Sequence, residues 1–188
     1  MNRINVILFV FIIIHSVSGQ NVTDLKTEYR IKEADLFVKF PNSNWDLANK
    51  EEGRLTQYIF KRKAITDNKE RQIIPAVIIC IEDASAYKQD VMLYSIERQK
   101  SFINMGVKID TISIQSNAGY PLSYKNSCIY KCHYTDNETN HILYMIHIIN
   151  KENKGIQIYL DMTQELAGEY EHEFIAVIKS IKEQKQKD

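Results

Sequence analysis

Between His141 and Met162 the chain reads HILYMIHIIN, then KENKG, then IQIYLDM. Written as a strand, the first run sends Ile142, Tyr144, Ile146 and Ile148 to one face and Leu143, Met145 and Ile149 to the other, because successive side chains alternate. A sheet with one wet face alternates apolar with polar residues. This run is apolar on both faces, so the strand is expected inside a sheet that is covered on both sides.

The remaining pattern supplies neighbours and covers. Asp35–Phe40 predicts a short strand stopped by Pro41, which has no amide hydrogen to give a sheet. A polar turn then delivers Trp45, expected in the core. Leu55–Lys63 predicts a second strand, Thr66–Lys69 a hairpin turn, and Ile73–Ile81 an apolar strand whose pairing starts at Ala76, after Pro75. Tyr87–Asn104 predicts a helix. Met92, Ile96, Gln99 and Ile103, widened by Leu93 and Phe102, form its expected core stripe, with Glu97, Arg98 and Lys100 in water. Gly106 is its expected left-handed cap. Val107–Ile114 predicts an edge strand whose phase breaks at Asp110-Thr111. Ser123–Tyr134 predicts a further strand, joined by the loop Thr135–Asn140 to the strand described first. After Ile156–Met162, Thr163 is placed to cap a closing helix with Leu166, Tyr170, Phe174, Val177, Ile178 and Ile181 at helical spacing.

Consecutive strands on short connections pair antiparallel, since parallel strands need long crossovers. Two amphipathic helices are available for two apolar faces. The expectation is an α+β fold: an antiparallel sheet of six to seven strands sandwiched between helices.

The N-terminus has a separate grammar. Arg3, the apolar run Ile4–Ile14 and the small residues up to Gly19 match a secretory signal peptide cleaved after Gly19. As a membrane anchor the run is too short, since eleven residues span ~16 Å as a helix. The expected organisation is a signal peptide (1–19), a flexible leader (20–33) and one domain (34–184), secreted or periplasmic, with no membrane span after cleavage. The 188 residues carry 24 basic and 24 acidic side chains. That balance leaves no field suited to nucleic acid or to an anionic membrane.

Several features together resemble a known family: Phe40-Pro41 followed by Trp45, Gly106-Val107 after a helix, Gly119-Tyr120-Pro121 before an antiparallel run, and a closing helix with Phe174, Ile178 and Ser180. The order is similar to the PsbP-like superfamily, shared by the photosystem II extrinsic subunit and the Ran guanine-nucleotide release factor, over about Ala34 to Glu183. The resemblance implies an α/β/α sandwich and a non-catalytic role in binding or stabilising other proteins. It carries over no binding residue.

Candidate chemistry is sparse. Cys128 and Cys132 lie ~13 Å apart along a strand, beyond the ~7 Å a disulfide tolerates. A bridge would therefore join Cys80 to Cys128 or Cys132; the alternative is three small buried hydrophobes. If Tyr134 faces His141, Cys128 faces His147, which is too few ligands for a structural zinc. Cys132 and His133 point to opposite faces and cannot exchange a proton. No G-x-S-x-G, H-E-x-x-H or phosphate-cradling glycine loop occurs, and Glu169, Glu171 and Glu173 are read as solvating charge. No catalytic, metal-binding or cofactor-binding residue is assigned. Asn21 and Asn137 open Asn-x-Thr sequons in segments read as exposed. The expected function is an exported protein-binding or assembly module whose partner is another exported or envelope protein. Its surface would carry Tyr120, Tyr124, Tyr130 and Tyr134, since tyrosine is favoured at interfaces. The alternatives are a small-ligand binder with a pocket between helix and sheet, and a hydrolase or redox enzyme using Cys128 or Cys132.

Overall fold

A computed structural model describes residues 27–53, 55–114 and 119–183. The segment read as a signal peptide, Asn21 and most of the expected leader lie outside these residues. The chain opens with β1 (Glu28–Ile31), β2 (Leu36–Lys39), β3 (Trp45–Glu51) and β4 (Thr56–Arg62). A small hairpin of β5 (Ile65–Thr66) and β6 (Gln72–Ile73) precedes β7 (Ala76–Asp83) and α1 (Val91–Asn104). Then come β8 (Lys108–Ile114), β9 (Ser127–Asp136), β10 (Thr139–Ile149), β11 (Lys154–Thr163), α2 (Gln164–Ser180) and β12 (Lys182–Glu183).

Seven strands make the main sheet in the order β3-β4-β7-β11-β10-β9-β8, every pair antiparallel. The β10 strand is interior, as its two apolar faces require. Its Tyr144, Ile146 and Ile148 share a core with Phe174, Val177 and Ile178 of α2. Its Leu143 and Met145 pack with Val91 and Phe102 of α1, on the other side. The two helices therefore roof opposite faces of one sheet. The β2 strand pairs with β1 and β12 in a small sheet that packs into the α2-side core through Ile31, Leu36 and Val38.

Several boundaries differ from expectation, each for a physical reason. Glu28–Ile31, read as leader, is a strand held by β2. The β3 strand has little alternation because it is an edge: Asp46 Oδ1 accepts the Leu47 amide at 2.8 Å, and a bulge follows before Asn49. Within Thr135–Asn140, read as a loop, β9 and β10 stay paired and only Asn137-Glu138 form the hairpin turn, both at positive φ (43° and 62°). Asn137 is exposed at its tip. The helix expected from Tyr87 starts at Val91, because Lys88 and Gln89 take left-handed backbone and Asp90 accepts the Leu93 amide at 2.9 Å. Thr163 precedes α2 but makes no side-chain cap.

Two assignments of facing are reversed. Met92, Leu93, Ile96 and Ile103 are 38–48% exposed; the residues of α1 that face the sheet are Val91, Tyr94, Ser95, Arg98 and Phe102. Glu173, read as solvated, is buried; it takes hydrogen bonds from Trp45 Nε1 (2.7 Å), Asn42 (3.0 Å) and Arg62 (3.0 and 3.1 Å).

Candidate functional site

The reversal of α1 follows from the chemistry of the face it covers. Toward α2 the sheet presents Val77, Ile79, Ile81, Ile156, Ile158 and Leu160. The opposite residues of the same strands are Cys80, Glu82, Gln157, Tyr159 and His147, in register across β7, β11 and β10. A wholly apolar helix side laid there would leave those polar groups unpaired, at a cost of about 1–3 kcal/mol each. The α1 helix instead supplies partners.

Glu82 is the hub at one end. It accepts hydrogen bonds from Tyr94 Oη (2.8 Å), Arg98 Nε (2.6 Å) and Gln157 Nε2 (2.6 Å). Gln157 in turn accepts the Tyr159 hydroxyl. At the other end Ser95 Oγ lies 2.5 Å from His147 Nδ1 and 2.9 Å from Tyr130 Oη. The rings of Tyr94, Tyr130 and Tyr159 stand 5.8–6.3 Å from His147 by ring centroid. Cys128 Sγ sits 3.9 Å from the Tyr130 hydroxyl.

A hydroxyl beside an imidazole suggests a nucleophile and its base, but the surroundings oppose that use. Ser95 and His147 are 0% exposed, and His147 Nε2 has no hydrogen-bond partner among the described residues. Burial, with Arg98 nearby, pushes the His147 imidazole down to about 3, so it stays neutral. Burial pushes Cys80 and Cys132 up to about 12 and also raises Cys128, which keeps all three as thiols rather than thiolates. Tyr130 is raised to about 12 for the same reason. The cluster acts as a polar latch between α1 and the sheet.

The residues singled out from the sequence are dispersed by the fold. Tyr124 and Tyr130 are 5% and 1% exposed, so they offer no surface. Tyr120 and Tyr124 pack in the α2-side core; Tyr130 and Tyr134 pack on the α1 side. Their hydroxyls are engaged inside the molecule, Tyr120 with Ser127 (2.6 Å) and Tyr134 with Asp161 (2.9 Å). Four tyrosines on two sides of a sheet cannot form one interface. Cys128 does fall opposite His147, and Tyr134 opposite His141. Cys80, however, is three strands away from Cys128, ~14 Å at ordinary strand spacing, so neither bridge to it can close. All three cysteines are free and buried. Among the described residues no group of three or more His, Cys, Asp and Glu is arranged to hold a metal ion.

Between α1 and the sheet, Tyr94 packs over Gly155. A surface groove of about 580 Å³ lies between β1 and β3, lined by Tyr29, Leu47, Lys50, Tyr58 and Phe60. The feature that sequence reasoning missed is the outside of α1. Eight large apolar side chains are exposed among the described residues. Six of them, Met92, Leu93, Ile96, Ile103, Met105 and Ile112, lie on α1, the turn after it, and β8. The missed signal was Ser95 and Arg98, polar residues on the helix side opposite the greasy stripe, which need polar partners in the sheet.

No protein-family model matches the chain, and no curated protein matches it by sequence. Two solved structures are similar in shape. One is a crystal structure from Bacteroides thetaiotaomicron, 13% identical, with a TM-score of 0.46 over 86% of this chain and 50% of the other. The chain spans about half the length of that protein. The other is PA94 of Pseudomonas aeruginosa, a protein of unknown function, 14% identical, with a TM-score of 0.48 over 82% of this chain and 94% of the other.

Proposed function

We propose that this chain is a non-catalytic protein-binding or assembly module of the PsbP-like kind, acting outside the cytoplasm. The observation that carries the reading is the outward face of α1. Large apolar side chains gathered on one exposed face mark interaction sites. Here the helix cannot roll to hide it, because its inner side is committed to Glu82, His147 and Tyr130. The inert thiols and the sealed Ser95–His147 pair support a role without chemistry.

A protein suits this face better than a lipid or a small molecule. Membrane-surface helices carry Lys and Arg on their exposed rim; here Glu97 and Lys100 balance. The face is convex, whereas small ligands need concavity.

A photo-crosslinking residue at position 96, in the protein made in its native source, tests the reading. A protein adduct at position 96 and none at position 169, on the exposed side of α2, is the expected result. Lipid adducts alone, or none, would overturn it. Export is tested by N-terminal sequencing of the mature protein, expected to begin at Gln20; retention of Met1 would overturn that part.

A further inference from the structure

We infer that the protein docked on α1 is a second copy of this chain, packed antiparallel about a two-fold axis; this rests on the docking role given above to the same face. Met92, Ile96 and Ile103 recur at helical spacing, span ~16 Å of one side of α1, and are flanked by Leu93 and, past the helix end, Met105. On one flank stand Glu97 and Lys100, three residues apart and therefore neighbours on the helix surface. A two-fold axis perpendicular to the helix and passing midway between them leaves each flank facing its own copy with the direction reversed. Glu97 of each copy then meets Lys100 of the other, twice. The same axis sets Met92 across from the partner's Met105 and brings the two Ile96 side chains to either side of the centre.

An isologous contact demands a self-complementary surface. This flank, with one acid and one base equidistant from a point on the helix, supplies it. Among the described residues neither charge is committed to an ion pair, and Glu97 accepts a hydrogen bond from the Tyr87 hydroxyl (2.7 Å). A parallel two-fold would turn this flank toward the opposite flank of the copy, so that Glu97 and Lys100 would not meet. The antiparallel two-fold brings each Glu97 to the other copy's Lys100.

Sedimentation and light scattering on the purified protein across the micromolar range test this. The expected mass is twice that of the chain. Ile96→Glu should give a monomer with unchanged circular dichroism, since the residue is outside the core. Glu97→Lys should weaken the dimer about tenfold by placing like charges together twice. Adding Lys100→Glu should restore it, a rescue that a merely structural role for either residue would not produce. A monomeric wild type overturns the inference, as does a dimer indifferent to both Ile96→Glu and the charge swap. If the crosslinker at position 96 captures a different protein while the purified chain stays monomeric, self-association fails and the docking role stands. If it captures nothing, both fail.

Discussion

The ring of Tyr94 occupies the space where Gly155 lacks a side chain: a Cβ on Gly155 would come within 2.6 Å of the Tyr94 ring carbon and hydroxyl. Helix α1 approaches β11 this closely only because residue 155 is glycine. The ring has nowhere to retreat. It packs edge-on against Tyr87, with centroids 5.1 Å apart, and its hydroxyl is tied to Glu82. Gly155→Ala should therefore lift α1 and cost about 1–3 kcal/mol, or roughly 3–10 °C in Tm. Thermal unfolding followed by circular dichroism checks this; an unchanged Tm would mean that α1 is not seated on β11.

The same latch gives the fold a pH dependence above the carboxylate range. His147 is held neutral in the folded chain, its pKa lowered from 6.5 to about 3 by burial and by Arg98. The unfolded chain then binds the proton more readily. Stability is full above about pH 6.5 and is lost as pH falls toward the folded value, by about 2 kcal/mol at pH 5. His147→Leu removes the titrating group while filling the same space. Its Tm should fall less than that of the wild type between pH 7 and pH 5. Equal losses would show that His147 is not sealed.

How much of this was legible in the sequence varies with the kind of information involved. The β10 strand was readable because both of its faces are apolar, and β8 because its alternation slips at Asp110, where the structure has a bulge. Pairing of β7 begins at Ala76, as Pro75 requires. Facing was harder. Periodicity locates a greasy stripe on α1 but cannot say that the sheet beneath is polar, since Glu82, Gln157 and His147 come from three separate strands. The burial of Glu173 was invisible for a similar reason: its partner Arg62 lies 111 residues away and looks like surface charge.

The thiols offer a direct test of non-catalytic chemistry. With Cys80 and Cys132 pushed up to about 12 and Cys128 also raised, the thiolate fraction at pH 8 is very small, on the order of 10⁻⁴ for the first two. Ellman's reagent should release nothing from the native protein within minutes, and three equivalents once denaturant is added. One fast thiol in the native state would reopen cysteine chemistry. Three slow ones, reacting together at the rate of global unfolding, would show that α1 does not open independently.

Glu173 is a buried acidic group where α2 meets β3 and β4. Burial alone would raise its carboxyl, but hydrogen bonds from Arg62, Trp45 and Asn42 outweigh that and hold it below the usual range. Arg62 also lies over the Tyr170 ring, 4.6 Å from its centroid. Glu173→Gln leaves the Arg62 guanidinium buried without its counter-charge, and breaking such a pair costs about 3–5 kcal/mol, or roughly 10 °C or more in Tm. A group with a lowered folded pKa stabilises above its unfolded value of 4.5, and that contribution is lost as pH falls through the folded value. Acid unfolding of Glu173→Gln should lack that component. Trp45 is the only tryptophan and donates its indole N–H to this carboxylate, so its emission reports the site directly. Replacing both charges with apolar residues, Glu173→Leu with Arg62→Met, should recover much of the loss, because the desolvation of two ions is removed together with their attraction. If the double variant is no more stable than Glu173→Gln, the hydrogen bonds to Trp45 and Asn42, rather than the ion pair, hold α2 to the β3–β4 edge.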